Sequence, residues 1–109
     1  MDADAISDLF SGLGPVSIRR MFGGKGIYFE GVIIAVELRG ELMLKGDTVT
    51  APDFADAGCK QWIYPNRKTG KAVAMPYWTV PDGALDEPDE MTPWAKKAHE
   101  AGVRSAKQN

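Results

Sequence analysis

Ile6, Leu9, Phe10 and Leu13 recur at i, i+3, i+4 and i+7, a spacing that predicts a short amphipathic helix near the start of the chain. Asp2 and Asp4 stand at its beginning, where negative charge suits the helix dipole, and Gly12, Gly14 and Pro15 end it. The pattern then changes period. Val16 to Phe22 alternates like a strand, and Gly23-Gly24-Lys25-Gly26 reads as a flexible turn. From Ile27 to Lys45 the pattern is a meander: Ile27 to Phe29, Val32 to Leu38 and Glu41 to Lys45 as strands, joined by Glu30-Gly31 and Arg39-Gly40. Glycine in the second loop position suits a type I′ hairpin turn, which needs positive φ there. Val32 to Val36 is apolar at both parities, which places it centrally in a sheet or covered on both faces.

Thr48 to Gly58 predicts a link with a short helix, Pro52 at its first position and Gly58 just past its end. Lys60 to Tyr64 and Lys71 to Met75 are two further strands, connected by Asn66 to Gly70 and closed by Pro76, which has no N–H for a ladder. The tail is helical. Met91, Trp94, Ala95, Ala98 and Ala101 form its apolar stripe, and Thr92-Pro93 looks like a cap followed by a first helical position. Pro88 and Pro93 together imply a kink, or a short turn before the main helix. The order is helix, three or four strands, short helix, two strands, long helix. The fold class is therefore α+β, a mostly antiparallel sheet of five to six strands with flanking helices, in one domain spanning 1–109.

Composition narrows the function more than it defines it. The 109 residues include 13 Lys+Arg and 15 Asp+Glu, a net charge of −2, so net charge gives no drive toward polyanions. One Cys and one His exclude a disulfide framework and a Cys/His zinc site within the chain. No cofactor or metal is expected. The acidic N-terminus does not look like a secretory signal, and no apolar run approaches the length of about 20 residues a membrane helix needs, so the expected location is the cytoplasm.

The charges are segregated. Between Asp56 and Asp82 there is no acid, whereas Lys60, Arg67, Lys68 and Lys71 are basic; Asp82 to Glu90 is acidic without a base. Arg67, Lys68 and Lys71 surround one hairpin tip, with Trp62 and Tyr64 on its strands. Cations beside aromatics can hold a nucleic-acid backbone and stack bases, or simply form a solvated loop above a packed tryptophan. Arg20, Phe22, Gly23 and Gly24, with Lys45, are candidates for an anion site, in which backbone N–H groups of a glycine turn and two cations take a phosphate. The turn lacks the Gly-Lys-Ser/Thr ending and the following helix of a P-loop, and its glycines equally suit a positive φ or a close backbone approach. Met75, Pro76, Tyr77 and Trp78 form an apolar corner. Tyr77 and Trp78 there can anchor a protein interface or receive the last helix.

The sequence also resembles a known family, the N-terminal domain of the TfoX/Sxy competence regulators. The resemblance rests on Arg20-Met21-Phe22-Gly23-Gly24-Lys25-Gly26-Ile27-Tyr28, Gly31-Val32 and Leu42-Met43-Leu44-Lys45. It continues through Tyr64-Pro65, Met75-Pro76-Tyr77-Trp78, Pro88 and Pro93-Trp94, covering about Ala5 to Arg104. It implies a secretion-chaperone-like α-β(3)-α-β(2)-α arrangement and no catalytic residues. Full-length members switch on DNA-uptake genes with the cyclic-AMP receptor protein and carry a second, helical domain, so this chain is expected to be a stand-alone TfoX-like domain. The expected function is a non-catalytic regulatory or interaction module linked to transcription and competence, contacting a protein of the transcription machinery, or DNA weakly. The alternatives are a small anion- or nucleotide-binding domain using the Gly23–Gly26 turn, and a self-associating structural domain, a homodimer.

Overall fold

The protein is described here by a computed structural model covering residues 1–21 and 23–107. Helix α1 (Ala3–Leu9) is capped by Asp2, whose carboxylate accepts the Ala5 N–H at 2.8 Å. Four strands follow: β1 (Ser17–Met21), β2 (Gly24–Phe29), β3 (Val32–Leu38) and β4 (Glu41–Lys45). Then come α2 (Ala51–Asp56), β5 (Gln61–Pro65), β6 (Ala72–Thr79) and α3 (Pro88–Lys107). The strands form one sheet in the order β1-β2-β3-β4-β6-β5, each pair antiparallel. The fold is α+β with four strands in the first block.

The two meander turns form as their glycines predict. Glu30 and Gly31 have φ of 51° and 79°, and Arg39 and Gly40 have 53° and 82°, positive at both central positions as a type I′ turn requires. Strand β3, apolar at both parities, lies inside the sheet. Ile34 and Ala35 are buried with the helices, while Val36 is buried on the opposite side.

All three helices cover one side of the sheet. Ile6, Leu9 and Phe10 of the α1 region, Phe54 of α2, and Met91, Ala95 and Ala98 of α3 bury Ile27, Ile34, Ala35, Leu42 and Leu44. Burying such side chains is worth roughly 1.5–3 kcal/mol each, so this layer supplies most of the hydrophobic stabilisation. The small stripe of α3 lets it lie close to β3. A Cβ on Gly102 would sit 2.5 Å from Val32 Cγ1 and 2.7 Å from the Ile33 carbonyl oxygen. The Met1 ammonium at 2.7 Å, with a smaller contribution from Lys25 at 3.5 Å, holds the Glu37 carboxylate below the usual glutamate range against its burial.

Three expectations change. Gly24, Lys25 and Gly26 are not turn residues. They belong to β2 and pair with Met21, Arg20 and Arg19, because a side chain at Gly24 would strike the Glu37 carbonyl and one at Gly26 the Met21 sulfur. Pro76 does not end its strand. Strand β6 pairs with β5 from Ala72 to Ala74 and again at Trp78, and with β4 from Tyr77 to Thr79, so Pro76 falls in the register shift of the β5 ladder, just before the β4 ladder begins. Proline is tolerated at such irregularities. Finally, α3 opens at Pro88 and runs through Pro93 as one helix. The hydrogen bond Pro93 cannot make belonged to the carbonyl of Asp89, an exposed residue, and Thr92 Oγ1 donates to the Pro88 carbonyl at 2.8 Å.

Candidate functional site

Among the described residues, the sheet's second side carries no helix. The registers align Arg19 with Gly26, Tyr28 with Ile33, Val36 with Met43, and Lys45 with Tyr77 on this side. Val36, Met43 and Tyr77 are buried there by their own neighbours, with Met21, Ile33, Leu38, Trp62 and Met75 packed around them. Two cations lie over aromatic rings. Arg19 Cζ is 5.0 Å from the Tyr28 ring centre and Lys45 Nζ is 5.2 Å from that of Tyr77. Lys45 is only 8% exposed, and burial pulls its ammonium below the ordinary lysine value, partly offset by Asp47. Burial likewise pushes the Tyr77 phenol up to about 12.

Adjacent strand residues point to opposite sides, so the aromatic corner is divided. Tyr77 and Trp62, 6.4 Å apart by ring centres, belong to the helix-free side. Trp78 belongs to the helix side, where its ring stacks on Phe54 at 5.8 Å with an interplanar angle of 9°. Gly46 leaves room for that indole, since a Cβ there would approach it to 2.5 Å. Trp78 is thus a packing residue that pins α2 to the sheet.

The anion-site candidates are also divided. Arg20, Gly23 and Gly24 sit at the β1–β2 hairpin, and Gly24 packs against Leu38, which pairs with Glu41 at the start of β4. Lys45 ends β4, on the far side of that strand's length. The glycine turn and Lys45 therefore do not converge on one ligand. Phe22 lies outside the described residues.

The basic tip is brought together. Arg67, Lys68 and Lys71 are all exposed around the β5–β6 turn, which is organised by Asn66: its side chain accepts the Lys68 N–H at 3.0 Å, and its N–H donates to the Lys71 carbonyl at 2.9 Å. The helical layer stops short of this hairpin. Ile63, Tyr64 and Val73 are 50%, 52% and 42% exposed, and Pro65, Ala72 and Ala74 are exposed as well. Tyr64 meets Trp62 edge to face at 6.2 Å. The hairpin is an arm, bare on both sides and cationic at its end. Tyr64 was anticipated beside the tip, but Ile63 and Val73 were not among the expected binding residues. Their apolar run is legible in the sequence, but it is the same signal that marks a covered strand such as β3.

Where the arm meets the body, a cleft of about 570 Å³ is lined by Gln61, Ala74, Pro76, Trp78, Val49 and Arg104, among others. One wall is an ion pair. Arg104 Nε donates to Asp47 Oδ2 at 2.6 Å and Nη2 to Oδ1 at 3.1 Å. Asp47 also accepts the N–H groups of Val49 and Thr50, both at 3.1 Å. Arg104 first, then the Thr50 N–H, holds the Asp47 carboxyl at about 2 against the burial that opposes them. The last turn of α3 is thereby tied to the loop that starts α2. Cys59 is a half-buried thiol that burial pushes up, away from a reactive thiolate.

The family model for the TfoX N-terminal domain matches residues 8–102, nearly the whole chain. The chain belongs to the TfoX N-terminal domain family. That match runs from α1 to α3, and the arm lies within its range. No curated protein matches the chain. Among the described residues no helix is long and apolar enough to cross a membrane, and no group of three His, Cys, Asp or Glu side chains is placed to hold a metal.

Proposed function

We propose that this TfoX-type domain is a cytoplasmic, non-catalytic interaction module of transcription or competence control, and that the β5–β6 arm is its contact surface. The carrying observation is the arm itself: Arg67, Lys68 and Lys71 at an exposed tip, with an exposed Tyr64 and a half-buried Trp62 on β5, whose outer part extends past the helical layer. Exposed cations on an otherwise slightly acidic protein create a local positive field that steers an acidic protein or a phosphate backbone to this end of the molecule. The aromatic side chains supply contact area at small conformational cost. The arm offers cations and ring faces, not a nucleophile beside a base, which supports binding over catalysis.

Two measurements test this reading. In cells, a strain lacking the protein is complemented with the wild type or with Arg67→Ala/Lys68→Ala/Lys71→Ala, and transcripts are compared. Altered transcripts that the wild type restores and the variant does not support it; transcripts indifferent to the protein's loss refute it. In vitro, anisotropy of labelled duplex DNA is followed at low and physiological salt. Weak binding that fades with salt and vanishes in the triple variant places DNA at the tip, and no binding at low salt removes direct duplex contact.

A further inference from the structure

We infer that the outer edge of β5 accepts one added strand, an extended acidic segment of a partner protein. This rests on the reading of the arm as the contact surface and names what it contacts. Strand β5 ends the sheet, so among the described residues no strand pairs with its outer side. Thr79 N–H donates to the Lys60 carbonyl and Asn66 N–H to the Lys71 carbonyl, each at 2.9 Å, which turns Lys60 and Asn66 toward β6. Residues alternate in an antiparallel ladder, so Trp62 and Tyr64 also face β6, while Gln61 and Ile63 turn both N–H and C=O outward, followed by the Pro65 carbonyl. That row of donors and acceptors is the template a strand pairs with.

Edges are ordinarily protected by charge. The opposite edge, β1, carries Arg19 and Arg20. Strand β5 carries no charge from Gln61 to Pro65. Its Ile63 and Tyr64 are exposed, and an added strand would cover apolar surface beside Ile63 on one side and beside Tyr64 and Trp62 on the other.

Charge selects the occupant. A second copy pairing edge to edge would set its own Lys60, Arg67, Lys68 and Lys71 against the same four cations, which repels. The chain's own acidic stretch, Asp82 to Glu90, cannot serve, because it is turn and the first turn of α3. An acidic segment from another protein fits: its ends fall beside Lys60 and beside the Arg67–Lys71 tip. Nucleic acid matches the tip charges but uses none of the outward N–H and C=O groups in a ladder.

The probe is a fluorescein-labelled peptide of about ten residues, alternating valine and threonine with aspartates at both ends, titrated against the full chain. Its controls are the same core with lysines at the ends, and labelled single-stranded and duplex DNA. The aspartate peptide is expected to bind about tenfold or more tighter than the lysine peptide, and to slow amide exchange at Gln61 and Ile63. Ile63→Pro deletes only an outward N–H and is expected to abolish binding while keeping the far-ultraviolet dichroism. Should that variant fail to fold, Ile63→Lys places a charge on the edge with the backbone intact and is expected to lose binding too. Equal binding of the two peptides, protection away from β5, or no peptide binding overturns the strand addition. DNA binding without peptide binding overturns it while leaving the arm as contact surface. Whether the protein regulates at all is decided separately by the transcripts.

Discussion

Gly102 sets helix propensity against packing, and the two predict opposite signs. In an exposed helix interior, glycine to alanine gains about 1 kcal/mol. Gly102 is buried where α3 meets β3. The new methyl would stand 2.5 Å from Val32 Cγ1 and 2.7 Å from the Ile33 carbonyl oxygen, well inside contact distance. Val32 is β-branched and stiff, and a backbone carbonyl cannot rotate aside. The helix must therefore retreat by about 1 Å, loosening the buried Ala95, Ala98 and Ala101 along the same seam. Overpacking costs typically 1–3 kcal/mol, and two contacts this short, one of them to backbone, put it in the upper part, about 2–3; less the helical gain of about 1, the net loss for Gly102→Ala is about 1–2 kcal/mol. In a domain of this size that lowers the melting temperature by about 5–10 °C. Urea denaturation followed by far-ultraviolet dichroism measures it, with Ala106→Gly in the exposed last turn as the propensity control. Val32→Ala added to Gly102→Ala is expected to recover part of the loss, because it relieves one contact and leaves the carbonyl. A Gly102→Ala protein as stable as the wild type would refute the claim that the glycine sets the helix–sheet distance.

The remaining predictions concern the ion pair, the aromatics and the tip. Asp47 has a folded value of about 2 against 3.8, so its stabilisation is complete above about pH 4 and is lost as pH falls through 2. Discounted for its partial exposure, it is worth about 1–2 kcal/mol at neutral pH. The stability gap between wild type and Asp47→Asn, from urea midpoints, should shrink steadily from pH 5 to about pH 2; a gap independent of pH counts against the pair. Trp78→Ala empties the stack on Phe54 and should cost about 2–4 kcal/mol, whereas Tyr64→Ala on the exposed arm should stay within about 0.5 kcal/mol by thermal denaturation. Spectrophotometric titration of wild type and Tyr77→Phe should differ by one phenol ionising near 12; a missing group at ordinary tyrosine pH would mean Tyr77 is not buried. The Arg67→Ala/Lys68→Ala/Lys71→Ala variant should melt within a few degrees of the wild type, since all three side chains are exposed, so any loss of binding is not a loss of fold.

Local chemistry was the legible part. The Glu30-Gly31 and Arg39-Gly40 turns, the whole of β3 and β4, and the small-residue stripe of α3 follow from residue type and period alone. The sequence misleads wherever tertiary contact overrides a local rule. Gly24 and Gly26 look like a turn, but they are glycines because β3 and Met21 approach too closely for a side chain. Pro76 looks like a strand end, but it falls in a register shift of a strand that runs on to Thr79 and there gains β4 as a second neighbour. Ending the strand there also hid the parity that sends Tyr77 and Trp78 to opposite sides, and with it Trp78's packing role. For the site, the basic tip was legible because charge segregation needs no structure. The bare flanks of the arm were not, since the apolar Ile63 and Val73 read like any covered strand until the extent of the helical layer is known.

Pairing with β4 begins only past Pro76, which divides β6 by task. Substitutions at Tyr77, Trp78 and Thr79 are felt in the body of the sheet, whereas those at Ala72, Val73 and Ala74 alter only an exposed surface. The two halves share β5 as a neighbour, but only the inner half is also held by β4. A domain built this way can be re-aimed at a new partner by rewriting the outer half of one strand, without spending the stability held in the inner half.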